Sequence, residues 1–342
     1  MTPIKEVWSR ISKLRKNKMS NVTLLNYENK IITKPEEISN VLVKSMSNVS
    51  SFKNRSENFI RHKNSIKKTF NFNLNNKNEE YNSPITMKEI LDTLKNVKDS
   101  ATGDDQIHYF MLKNLPTQSL EFLKKFYNIV FLKNVFPEKW SEAMIIPILK
   151  PEKNPTDPLS YRPISLISCL FKILDKIINK RLVWFIEKNR LIRHNQSGTR
   201  EGRNTLDNLG EIVTEIQHAF AHQKYHVSIF LDLEKAYDTC WNQHLLQQLE
   251  NFGMSGNLPT FIQHFVENRS IFIKLGNIKS DISKVDLGIP QGSSLSGTLF
   301  IIAIDSVLKN VSNYIGKSLF VDDLRLSVTT FDLASAENKL QK

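Results

Sequence analysis

The sequence lacks the means to staple or clip a small domain. It has two cysteines in 342 residues, Cys169 and Cys240, far apart and with no CxxC pair. That excludes a disulfide framework and a zinc module and fits a reducing compartment. The eight histidines are scattered, and no zinc-type set is expected from them. The N-terminus, MTPIKEVWSRISKLRKNK, lacks the apolar core of a signal peptide. No apolar run nears the roughly 18–20 residues of a membrane span; the longest, LFIIAI at 299–304, reads as a core segment. No internal repeat is visible. Acids are in deficit, 35 against 47 lysines and arginines, which leaves a net charge of +12. Such an excess points to polyanionic partners, nucleic acid first. The expectation is an intracellular protein, cytoplasmic or nuclear, with no membrane contact.

What is present suffices for a large core. With 40% hydrophobic residues, the chain can build one large domain or two moderate ones. Ile4, Val7, Trp8, Ile11 and Leu14 predict a basic amphipathic helix over 4–15. A second helix is expected at about 36–48. Residues 53–82 are rich in Asn, Lys and Ser and read as a linker or loop, dividing an N-terminal extension (1–82) from the main domain (83–342). Helices are then expected from Ser83-Pro84, from His108 to Leu115, over 117–133, 165–189 and 206–223, and in a segment ending at Gly253. Strands are expected at 143–150, at 225–233 (buried), and in the hairpins of RSIFIKLG and KSLFVDDLRLSVTT. The class is α+β.

Two Asp-Asp pairs stand out. Asp104-Asp105, in TGDDQI, follows a glycine and precedes a helix, where acids serve turns and helix starts. Asp322-Asp323, in LFVDDLRLS, interrupts a strand hairpin instead. IFLDLEKAYD places Asp232 at the exit of another strand. Two such strands side by side would gather Asp232, Asp322 and Asp323. Carboxylates that close repel one another unless cations neutralise them. Hard oxygen donors in that number suit two Mg²⁺ ions, or Mn²⁺, and a two-ion site of this kind supports nucleotidyl transfer.

Six segments in order carry a resemblance: KDSATGDDQIHYFMLKNLP (98–116), YRPISLISCLFKILDKIINKRL (161–182), NQSGTREGRNTLDNL (195–209), FLDLEKAYDTCW (230–241), LGIPQGSSLSGTLF (287–300) and LFVDDLRLS (319–327). Together they resemble the reverse transcriptase of non-LTR (LINE-type) retrotransposons, in the style of jockey-like elements. The resemblance implies right-hand polymerase fingers and palm, with an antiparallel palm sheet packed on helices. It implies RNA-directed DNA synthesis, with an RNA template, a DNA primer and dNTPs as partners; the oligomeric state stays open. By position, Asp232 and Asp322 would be the main metal ligands, with Asp323 beside them. Tyr237 would lie under the incoming sugar as a steric gate. Gln291 and Gly292 would face the nucleotide, Arg162 the triphosphate, and Lys150 more weakly the same group. Arg200 and Arg203 would touch the template backbone, and Asp238 would orient the segment around Asp232. Departures from the family pattern fall at Thr102, Ser197-Gly198-Thr199, Gly297-Thr298 and Val321. The chain ends at LASAENKLQK, ahead of the family's later palm motif, primer grip and thumb. The expectation is therefore a fragment, fingers and most of a palm with the thumb missing, impaired in primer extension. The alternative is an inactive, RNA-binding remnant of a degraded element.

Overall fold

The computed structural model describes residues 22–53, 55–66, 69–72 and 79–341. The basic helix expected at 4–15 lies outside them. A short hairpin, β1 (Leu25–Tyr27) and β2 (Lys30–Ile32), leads into helix α1 (Pro35–Val49). Pro35 opens that helix, where a missing N–H loses no hydrogen bond. Helix α2 (Glu57–Ser65) follows, its start capped by the Ser56 hydroxyl, which accepts from Phe59 N. It falls in the stretch read above as a loop, from which Phe70, Phe72 and Tyr81 are also buried. A few aromatics anchor a segment whose average composition is polar. The Tyr81 ring meets Phe185 edge-on at 4.9 Å, so packing crosses residue 82. Helix α3 (Met87–Asn96) starts with a Thr86–Glu89 capping box, and α4 (Thr117–Leu132) buries Leu123, Tyr127 and Val130.

Strands β3 (Glu142–Leu149) and β4 (Tyr161–Leu166) pair antiparallel, with Pro147 opposite Pro163. Two prolines can face each other here because the neighbouring pairing on β3 stops at Ile145. The helix expected from 165 starts later. Ser165 and Leu166 finish β4, Ser168 caps the turn, and α5 runs Cys169–Lys188. After helix α6 (Thr205–Ala221) comes β5 (Tyr225–Leu231). Helices α7 (Asn242–Asn251) and α8 (Asn257–Val266) lead to β6 (Arg269–Leu275), which lies parallel to β3. Strands β7 (Ile278–Lys279) and β8 (Ser283–Val285) fold back on β6. Helix α1 lies on this sheet. Leu25, Ile38, Leu42, Val43, Ile145, Tyr161, Ile271 and Ile273 form a core of their own between them.

Helix α9 (Leu295–Asp305) contains the LFIIAI run and is buried nearly all round, as a helix apolar on every side must be. It packs with α5, whose Phe171, Ile173, Leu174, Ile177 and Ile178 are buried, in the main core. Strands β9 (Gly316–Phe320) and β10 (Asp323–Thr330) close the chain, followed by helix α10 (Leu333–Leu340). Their sheet has the order β5-β10-β9 and is antiparallel throughout, as the resemblance implies for the palm. One expectation is corrected: β5 is not buried. Among the described residues it pairs on one side only, which leaves it at a sheet edge with Phe230 68% and Leu231 45% exposed. Among the described residues no helix is long and apolar enough to cross a membrane.

Candidate active site

The β5–β10 register ends at Leu231 opposite Leu324, so Asp232 follows level with Asp323. Asp322 occupies the two-residue loop between Phe320 and Asp323, which pair across the β9–β10 hairpin. Asp232 and Asp322 line one cleft; Asp323 lies at its margin, exposed. Burial raises the Asp322 pKa and its own backbone N–H opposes this, while the charges of Asp323 and Asp232 raise it further. Among the described residues none of the three carboxylates has an ion-pair partner. Nor, among those residues, do three or more Asp, Glu, His or Cys side chains converge as a closed metal site. Uncompensated carboxylates in one cleft are hard oxygen donors of the kind a divalent cation takes one or two at a time, completing its shell with water or phosphate oxygens.

The loop that carries Asp322 is held in an unfavourable shape. Val321 has φ of +59°, at the loop position that hairpins usually give to glycine, and a β-branched residue there is strained. Gln196, fully buried, clamps it: its Oε1 accepts from Val321 N at 3.1 Å and its Nε2 donates to Val321 O at 3.3 Å. Gly198 lies so close that a Cβ would stand 2.3 Å from Val321 N. The NQSG stretch thus acts as a brace for the hairpin that carries Asp322. Two departures also meet: a Cβ on Gly297 would lie 2.9 Å from the Thr199 methyl.

Lys150, Arg162, Tyr237, Asp238 and Gln291 line the same cleft as Asp232 and Asp322. Lys150 and Arg162 come from the β3–β4 hairpin and have no ion-pair partner among the described residues. Tyr237 stacks on Phe300 at 4.8 Å, which fixes its ring. Asp238 is tied to the loop after β8, where it accepts from Gln291 Nε2 at 3.0 Å. Burial raises the Asp238 pKa, while Gln291 and the half-buried Arg269 favour its charged form. Arg269 in turn donates to Gly288 O at 2.6 Å. Gly292, with φ of +129°, makes its close approach to Ser165 O rather than into the cleft; a Cβ there would sit 2.6 Å from that oxygen.

Arg200 is placed differently from its sequence reading. Its side chain is 9% exposed, pairs with Glu187 at 2.7 Å and donates to the Arg193 and Gln196 carbonyls. It holds the Gln196 loop. Arg203 is exposed, with one hydrogen bond to His194 O. Asp104 and Asp105 stay in a turn away from the carboxylate group. Asp105 accepts from Ile107 N, two residues before the helical turn Tyr109–Lys113, and Asp104 pairs with Lys279 at 2.7 Å. His218, on α6, and His222, just past its end, hold their rings 4.2 Å apart at a tilt of 31° without completing a metal set among the described residues. Gln196 was missed in the sequence, and so was Asp175. Asp175, fully buried on α5, accepts from Ser293 Oγ, Ser294 N and Leu295 N, and so caps the start of α9 and anchors the loop bearing Gln291. Its signal was an acid within the apolar stripe of α5.

The family model described as reverse transcriptase (RNA-dependent DNA polymerase) matches residues 148–341. The chain is similar to the RNA-directed DNA polymerase from mobile element jockey of Drosophila melanogaster, 32% identical over 64% of this chain and 24% of that protein. The Drosophila funebris counterpart is 30% identical over 76% of this chain and 29% of its own length. The chain thus spans about a quarter of the curated relatives it matches. Among solved structures, it is similar to an apo telomerase from Candida tropicalis, at 16% identity and a TM-score of 0.43, over 60% of this chain and 47% of that one.

Proposed function

Because the chain belongs to the reverse transcriptase (RNA-dependent DNA polymerase) family, we propose that its cleft carries the nucleotidyl-transfer centre of a non-LTR retrotransposon polymerase, joining a dNTP to a primer 3′-hydroxyl on an RNA template. The observation that carries this reading is one cleft holding Asp232 and Asp322 together with Lys150 and Arg162, cations unpaired among the described residues. Two divalent ions, Mg²⁺ or Mn²⁺, held by Asp232 and Asp322 with Asp323 beside them, would polarise the 3′-hydroxyl and neutralise the pyrophosphate oxygens. Arg162 presents a planar donor fork to the triphosphate, and Lys150 adds a second positive charge. Tyr237, braced by Phe300, sets the floor beneath the sugar and excludes a 2′-hydroxyl. Gln291 gives its side-chain Nε2 to Asp238, which leaves its side-chain Oε1 as the group to accept from the nucleotide.

Two measurements test the reading. Mg²⁺-dependent dNTP binding, followed by calorimetry, is expected to weaken about tenfold in Arg162→Ala, the loss of one charge-assisted hydrogen-bond pair, with RNA binding unchanged. Primer extension on an RNA template is expected to depend on Mg²⁺ and to vanish in Asp322→Asn. Synthesis that survives Asp322→Asn would overturn the assignment.

A further inference from the structure

Helix α5 presents a second feature on the side opposite its buried face. Lys176, Lys180, Trp184 and Lys188 recur every four residues, and all four are exposed. At 1.5 Å per residue they stand about 6 Å apart in one row. The Lys188 ammonium lies 4.3 Å from the Trp184 ring centroid. Lys176 and Lys180 have no ion-pair partner among the described residues, and Lys188 reaches Glu80 only at 4.0 Å, in solvent. The row walls an open groove that runs past Glu187 and Glu201 to Ser294, two residues from Gly292. Arg200 already neutralises Glu187. On the other flank, Asp92 and Glu89 share a hollow with Lys176 and Lys180, and Glu89 is taken up by Arg181. The groove is therefore cationic along α5, with Glu201 and Asp92 at its edges.

We propose that this row is a track for single-stranded nucleic acid, its lysines meeting successive phosphates and Trp184 stacking on a base. Only the naming of that strand as the template rests on the polymerase reading. A row of cations around one flat ring suits a strand in which phosphates and bases alternate. An acidic protein surface would have no use for the exposed ring, and a membrane would need a wider apolar face than Trp184 and Val183 offer. The row also supplies the strand contacts that Arg200, engaged with Glu187, does not.

The test is filter binding of a labelled single-stranded RNA oligonucleotide to the full chain across a salt series. In the triple variant Lys176→Gln, Lys180→Gln, Lys188→Gln, the slope of log affinity against log salt is expected to flatten by about 2, at ~0.7 for each phosphate no longer neutralised. A control with the same charge change, Lys30→Gln, Lys34→Gln, Lys44→Gln, is expected to keep the parent slope. Trp184→Leu is expected to weaken binding about tenfold and Trp184→Phe to restore most of it, as one base–ring stack is removed and then regained. An unchanged slope in the α5 variant, or an equal change in both triple variants, would overturn the proposal. Failure of the polymerase reading would show separately, as Asp322→Asn without effect on synthesis while the slope difference stands.

Discussion

Single residues at the cleft act chiefly by holding backbone in place. Asp175 satisfies two amides at the start of α9 and one hydroxyl. Asp175→Ala would leave those amides unpaired in the interior, at a cost of about 2–4 kcal/mol. Urea unfolding measures it, and Asp175→Asn, which keeps an acceptor, should lose less. Gly198 and Val321 form a tighter test. Gly198→Ala puts a methyl 2.3 Å from a backbone nitrogen that Gln196 also grips. It should destabilise by more than about 2 kcal/mol, the scale of core overpacking. Val321→Gly relieves the positive φ and should cost less than Gly198→Ala in the same thermal melt. The reverse order would show that the hairpin, not the brace, yields.

At the scale of elements, the junction of α3 with α5 depends on one ion pair. Arg181 grips both Glu89 oxygens at 2.8 Å and donates to the carbonyls of Tyr81, Ser83 and Pro84. Burial pushes the Glu89 pKa up, but the Arg181 and Thr86 bonds outweigh it and the net shift is downward. A depressed carboxylate contributes fully above its unfolded pKa and loses that contribution as pH falls through the folded one. Stability should therefore drop between about pH 5 and pH 3, and Glu89→Gln should flatten that drop. The variant should also cost about 2 kcal/mol at neutral pH, since it leaves a partly buried guanidinium short of its partner. Melting temperatures across pH, parent against variant, check both halves.

At the scale of the whole molecule, the buried apolar residues form two cores, and the sheet of β3, β4 and β6 contributes to the smaller one. The smaller one, under α1, is made by residues from both ends of the sequence, Leu42 beside Ile145 and Ile273. Leu42→Ala should cost about 2–5 kcal/mol, and hydrogen exchange should locate the loss first in β3 and β6. Equal loss of protection in α5 and α9 would mean that the two cores unfold as one. The sequence by itself determined most of the elements and the family. Periodicity placed most helices and strands, and strand–acid patterns picked out Asp232 and Asp322 from Asp104 and Asp105, because local flanks decide whether an acid caps a turn or ends a strand. The tertiary structure alone decided which charges are free to act. Arg200 and Arg162 look alike in a motif, yet one is neutralised by Glu187 and the other faces the cleft. Asp175 and Gln196 reach loops more than a hundred residues away, and β5 is an edge strand because, among the described residues, it pairs with β10 alone. Partners so distant in sequence are set by packing, and no local pattern encodes them.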